Sequence, residues 1–324
     1  MRDWVTSGIE RSGHRASGAP IHPLTQSHIA RIQPVSSVAV LGAGDIGGAV
    51  ASRLAARGKF RTIRLIDARD CVAAGKALDI QQTGPIDHSD TRLEGTADVL
   101  AAAGASVIVI ADRFDAGEWQ GDDGLTLIRR LAAAGTAAPF VFAGPSQTAL
   151  MEAAARELRV PADRLVGTAA SALVGAARSL IGLALDGAGD DVRVSVNGRP
   201  PSFVLGWSAA TVAGSLVSDR LPAHRLLAIG RSLQGLWPPG PSAIAAATAR
   251  VVEALAFGSR RLETALTVLD GLSTSLEAGE FGARHRSALL PLALDRGRVQ
   301  RRVMPTLSRQ ELTEVESAIV GRTQ

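Results

Sequence analysis

From residue 35 onward, short apolar runs alternate with longer stretches in which apolar residues return every three or four positions. The first spacing predicts strands at 35–41, 61–66, 92–95, 107–111 and 140–143, the one at 92–95 weak and the one at 107–111 the most apolar. The second predicts helices at 45–57, 71–82 and 123–134, with a polar stretch between residue 111 and the last of these. Strands separated by helices of this length imply a parallel sheet covered on both faces. Beyond about Ser146 the texture changes: long helices at 169–185, 224–234 and 242–256 alternate with strand-like stretches at 192–196, 262–269 and 287–294. Residues 307–320 form an amphipathic helix with Leu312, Val315 and Ile319 on one face. The pattern contains no internal repeat. It predicts an α/β fold in three parts: a disordered extension over 1–33, a parallel-sheet domain over 34–145 and an α+β domain over 146–324.

The first strand runs into Gly42-Ala43-Gly44-Asp45-Ile46-Gly47, a G-x-G-x-x-G turn. Such a turn is weak by itself, but here a strand precedes it, a helix follows, and the second strand ends at Asp67. Gly42 permits the tight turn, Gly44 lets a diphosphate approach the backbone, and Gly47 lets the helix pack close to the strand. The helix beginning at Asp45 and Ile46 turns unpaired N–H groups and a partial positive charge toward that diphosphate. Asp67 is placed to accept from the adenosine ribose hydroxyls and to repel a 2′-phosphate, which favours NAD over NADP, although the nearby Arg69 leaves NADP open. This predicts a Rossmann-type domain binding NAD through Gly42, Gly44, Asp45, Ile46, Gly47 and Asp67. A glycine turn kept only for packing is the alternative.

Composition narrows the field. Of 324 residues, 46% are hydrophobic and 20% charged, which suits a soluble, cytoplasmic globule. The formal net charge is only +4, and 3% aromatic residues with no basic cluster between them argue against nucleic acid. No segment reads as a membrane span, since 169–185 is interrupted by Arg178, and Asp3 and Glu10 argue against a signal peptide. The single Cys71 allows no internal disulfide and reads as a small helix-packing residue. His14, His22 and His28 have no metal-site spacing, and Glu118, Asp122 and Asp123 read as carboxylates gathered at a helix N-terminus rather than a metal site.

Together these residues resemble the malate/lactate dehydrogenase family, in particular its bacterial malate dehydrogenase branch. The resemblance rests on Val40-Leu41-Gly42-Ala43-Gly44 through Leu65-Ile66-Asp67, on Gly75-Lys76-Ala77-Leu78-Asp79-Ile80 followed by Gly84-Pro85-Ile86, and on Val166-Gly167-Thr168-Ala169, Thr211-Val212-Ala213-Gly214 and Arg298-Val299-Gln300. It spans residues 35–320 and implies a Rossmann-type domain followed by the family's α+β C-terminal domain, with assembly as a homodimer or homotetramer.

The family's chemistry uses a His held by a carboxylate as base, an Arg gripping the substrate carboxylate, and a cation on a closing loop. At the matching positions this chain departs from all of them. Counting from Thr211, the relay His falls on Arg199, in Gly198-Arg199-Pro200-Pro201; counting from Gly167, its Asp falls on Leu173 and the substrate Arg on Ala176, with Arg178 matching a second arginine of that helix. The loop is about two residues short and reads Asp112-Arg113-Phe114-Asp115-Ala116-Gly117. The family's Asn falls on Gly144 and its Ser on Pro241. No histidine lies between His88 and His224 that a shifted alignment could supply. The expectation is a member that binds NAD(H) but has lost hydroxy-acid dehydrogenation, a pseudoenzyme or nucleotide sensor. The alternative is a working oxidoreductase of altered substrate and mechanism. Arg113 as a relocated loop cation, Trp119 as a cover over a ligand, and Arg199 as a direct ligand for a small anion remain open.

Overall fold

The computed structural model describes residues 36–269 and 285–320. The expected extension, with His14, His22 and His28, lies outside them. The order begins β1 (Ser37–Leu41), α1 (Asp45–Ala56), β2 (Thr62–Ile66), α2 (Asp70–Asp87), β3 (Arg92–Thr96), β4 (Val107–Ile110), a small hairpin of β5 (Asp112–Arg113) and β6 (Gly117–Glu118), α3 (Gly121–Ala133), β7 (Phe140–Phe142), α4 (Thr148–Glu157) and β8 (Leu165–Gly167). It continues through α5 (Ala172–Ala184), β9 (Val192–Arg193), β10 (Val196–Arg199), β11 (Ser202–Leu205), β12 (Thr211–Val212), β13 (Ser215–Leu216), α6 (Val217–Arg220), α7 (Ala223–Gly235), α8 (Pro241–Phe257), β14 (Glu263–Val268), β15 (Ser287–Asp295), β16 (Arg298–Arg302) and α9 (Arg309–Val320).

Six strands lie parallel in the order β3-β2-β1-β4-β7-β8. This is the Rossmann-type arrangement, and it puts the reversal of strand order between β1 and β4, whose carboxyl ends flank the crevice where such folds bind ligands. The sheet continues past β8 through antiparallel β14, β15, β10 and β11. The central strands are apolar on both faces because helices cover both: Val38, Val40, Val107 and Val109 belong to one core, and Ala39, Leu41, Ile108 and Ile110 to the other. Among the described residues no helix is long and apolar enough to cross a membrane.

Several elements differ from the sequence expectation. Helix α2 runs on past residue 82 through Pro85 to a left-handed His88, where the Ser89 N–H closes on the Gly84 carbonyl at 2.9 Å. The polar stretch after β4 carries the hairpin. Helix α4 and strand β8 were not anticipated: α4 buries Leu150, Met151 and Ala154, and β8 joins β7 to β14 in only three residues. The run expected as one strand at 192–196 is divided between β9 and β10, which join different sheets. Cys71 is not a packing residue, being exposed in the first turn of α2.

Candidate functional site

Strand β1 ends at Leu41, and Gly42 turns the chain with φ of +116°, a backbone that L side chains rarely adopt. A Cβ on Gly47 would overlap the Gly42 carbonyl, so α1 packs down on its own entry turn. The backbone brings the N–H groups of Ile46 and Gly47 to converge on one point, a cradle of anion-binding donors. That point is held by a carboxylate of the chain itself. The Gly47 N–H donates to Asp112 Oδ1 at 2.8 Å and the Ile46 N–H to Asp112 Oδ2 at 3.2 Å. The Gly44 N–H donates to the Asp112 carbonyl at 2.9 Å, and a Cβ on Gly44 would fall on the Asp112 carboxylate. Asp45 is exposed beside the cradle.

Strand order explains the contact. Asp112 follows β4 and Gly42 follows β1, and these strands are neighbours, so 65 residues of sequence separation close to hydrogen-bond distance. The same loop runs on across the crevice. Asp67, 4% exposed, accepts at Oδ2 from the Ala43 N–H at 2.8 Å and the Phe114 N–H at 2.9 Å, and at Oδ1 from the Arg69 N–H at 3.2 Å. Its oxygens are thus engaged by backbone donors, one of them in the loop. Arg69 and Lys76 place their charges 5.2 and 5.8 Å from the centre of the Phe114 ring, Arg69 pairs with Asp115 at 3.1 Å, and Lys76 Nζ donates to the Gly44 carbonyl at 3.1 Å. At the far end Glu118 Oε2 accepts from the Ser146 N–H at 2.9 Å, where the chain leaves β7, and a Cβ on Gly144 would overlap that carboxylate. Burial lifts the Glu118 carboxyl above the usual range against the lowering effect of the Ser146 bond, and the charge of Asp112 adds to the rise.

The remaining candidates are also engaged. Arg113 stacks over Trp119, its guanidinium 4.5 Å from the ring centroid, and reaches Asp123 at 3.5 Å and the Ala116 carbonyl at 3.1 Å. Asp122 and Asp123 stand in the first turn of α3, as carboxylates at a helix N-terminus. Arg199 turns one edge of its guanidinium onto the chain itself, with Nε and Nη2 donating to Glu152 at 2.9 and 3.1 Å. Glu152 is 7% exposed and accepts also from the backbone N–H and hydroxyl of Ser287 at 2.9 and 2.7 Å. Burial alone would raise its pKa; the Arg199 and Ser287 hydrogen bonds outweigh that and hold it below the usual range. Leu173 is fully buried in the core, and Ala176 lines a cavity of about 730 Å³ between α5 and α8. Arg178 shares that lining, but its Nε donates to the Gly189 carbonyl at 3.1 Å and its Nη2 to Asp190 at 3.0 Å. Sequence reasoning missed Glu152, a lone acid in an Ala-rich stretch that carries no motif, and missed the reach of Asp112.

The family model for the lactate/malate dehydrogenase NAD-binding domain matches residues 36–118, from the start of β1 to the end of the loop just described. Malate dehydrogenase of Thermomicrobium roseum is 26% identical over 304 residues, covering 88% of this chain and 94% of that enzyme. Malate dehydrogenase of Chloroherpeton thalassium is 29% identical over 203 residues, 59% of this chain and 65% of that enzyme, just under two thirds of its length. A minor L-lactate dehydrogenase from Enterococcus mundtii, solved with ligands bound, shares the fold at a TM-score of 0.77 and 19% identity, with 88% of this chain and 96% of that one covered. Residues 36–118 match the NAD-binding domain of the lactate/malate dehydrogenase family, and the rest of the chain is similar to malate dehydrogenases in sequence and to lactate/malate dehydrogenases in fold. NAD is the cofactor of the family's N-terminal domain, and the cradle of this lactate/malate dehydrogenase relative fits it in donor chemistry: a helix N-terminus, converging N–H groups and a turn with no room for side chains.

Proposed function

We propose that this chain binds NAD(H) and does not carry out hydride exchange with a 2-hydroxy acid. In this reading the Gly42–Gly47 turn, with Asp45 and Ile46 at the head of α1, holds the diphosphate, and Asp67 serves the adenosine ribose once its loop partner has moved. The observation that carries the proposal is the Arg199–Glu152 pair. Where the family's relay base belongs stands a guanidinium that cannot accept a proton near neutral pH, turned onto a buried carboxylate of its own chain. The positions of the base's Asp and of the substrate Arg hold apolar side chains, Leu173 and Ala176. Loss of a general base alone lowers a rate by ~10²–10⁴, and loss of the carboxylate grip removes orientation as well.

A working oxidoreductase with altered substrate is the second reading, favoured by the malate dehydrogenase relative that aligns over 94% of its length. Purified protein separates the two. A fluorescence titration with NADH should saturate, while no NADH should be oxidised with oxaloacetate, pyruvate or a panel of other 2-oxo acids. Steady turnover with any of them would establish the second reading. Assembly as a homodimer or homotetramer belongs to the same proposal and is checked by light scattering in solution.

A further inference from the structure

The loop 112–118 does more than border the dinucleotide crevice; it supplies the groups that a dinucleotide would otherwise meet. Each of its three anchors falls on a different part of the crevice. At the cradle, the Asp112 carboxylate takes the two N–H donors of Ile46 and Gly47, in the two-oxygen manner of a phosphate. At the end of β2, the Phe114 N–H takes an oxygen of Asp67. At the end of β7, Glu118 takes the Ser146 N–H and fills the space over Gly144. Between these anchors Phe114 lies against Arg69 and Lys76, and Arg69 also pairs with Asp115.

A diphosphate and the Asp112 carboxylate cannot share the cradle. They need the same donors, and their like charges would sit in a partly buried site where repulsion is poorly screened. We propose that loop 112–118 is a self-inhibitory latch, in which Asp112 is an intramolecular anion competing with the diphosphate of NAD for the head of α1. Binding then requires the loop to leave, and leaving also frees the Asp67 oxygen held by Phe114. Apparent affinity falls by the fraction of molecules in which the latch is open, so a latch closed nine times in ten weakens binding roughly tenfold.

This rests on the NAD(H)-binding reading above, and the test keeps the two apart. NADH is titrated into the full chain and into Asp112→Asn and Asp112→Ala, with amide hydrogen exchange at Ile46 and Gly47 recorded without nucleotide. The latch predicts NADH binding tighter by about tenfold or more in both variants, and faster exchange of both amides in Asp112→Ala. Affinity in the variants equal to or weaker than that of the unaltered chain overturns the latch and leaves the NAD(H) reading standing. Absence of NADH binding in all three proteins overturns the NAD(H) reading. With no diphosphate to compete against, the latch falls with that reading, whereas tighter binding in the variants with unchanged exchange at Ile46 and Gly47 overturns the latch alone. Asp112→Asn keeps the shape of the side chain while removing its charge, so it preserves the test should Asp112→Ala fold poorly.

Discussion

Two charged side chains carry most of what is distinctive here, and each is satisfied within the chain. Asp112 reaches the head of α1, and Arg199 reaches Glu152. The Arg199 pair is two-pronged, and its acid is nearly sealed from water, so neither partner is dispensable. Removing the guanidinium leaves a buried carboxylate with only the Ser287 donors. Arg199→Ala should therefore lower the free energy of unfolding by about 2–4 kcal/mol, near or below the lower end for a broken buried pair because the edge of Arg199 reaches solvent. Arg199→Lys should recover only part of this, because an ammonium offers no matching fork. Urea titrations at pH 7 measure both, and an unchanged midpoint in Arg199→Ala would mean that Glu152 is held by Ser287 alone. Neither contact is written locally in the sequence. Asp112 and Gly47 are joined only because β1 and β4 are adjacent, and Arg199 and Glu152 only because β10 lies across β15 from the segment that α4 covers.

At the scale of elements, the glycine turn with its flanking strand and helix was legible, since each rests on a local signal. So were the apolar strands β4 and β7 and the amphipathic α9. Helix α4 was not, because a short Ala-rich segment has a shallow periodicity and gains its stability from the core it covers. Strand β8 is three residues long, too short for any alternation to register. Strand β3 read weakly because Gly95 is a poor strand residue, and the structure supplies the reason for a glycine there. A Cβ at Gly95 would overlap the backbone of Ala73 and Ala74, so α2 presses directly onto β3. Gly95→Ala should destabilise the protein by about 1–3 kcal/mol, the usual cost of overpacking, and more if α2 cannot shift. Scanning calorimetry would reveal it as a lowered transition temperature. An unshifted transition would mean that the helix rides farther from the sheet than these distances place it.

For the whole molecule, the long-range ties are largely carboxylates, and that fixes how it responds to acid. Glu152 joins α4 to β10 and β15. Glu253 on α8 accepts from both Arg57, at the end of α1, and Lys59, the latter at 2.7 Å. Glu311 at the head of α9 accepts from the Ser208 and Ser308 N–H groups at 2.9 and 2.7 Å. In all three, burial disfavours the charge but hydrogen bonds from these partners outweigh it, and the folded pKa is lowered. A carboxylate lowered on folding contributes stability that is present above its unfolded pKa, about 4.3 for Glu, and is lost as pH falls through the folded value. Glu118 has the opposite sign. Its pKa is raised, so its contribution is present below the unfolded value and lost as pH rises through the folded one. Three ties against one leave the acid-labile direction dominant. The urea midpoint should hold from pH 7 to about pH 5 and fall steadily below that. Glu152→Gln and Glu253→Gln should start lower at pH 7 and lose less on acidification, because the proton that breaks each tie in the parent has nothing left to remove. A parent midpoint that stays level down to pH 3, or variants that fall as steeply as the parent, would show that these carboxylates do not hold the distant elements together.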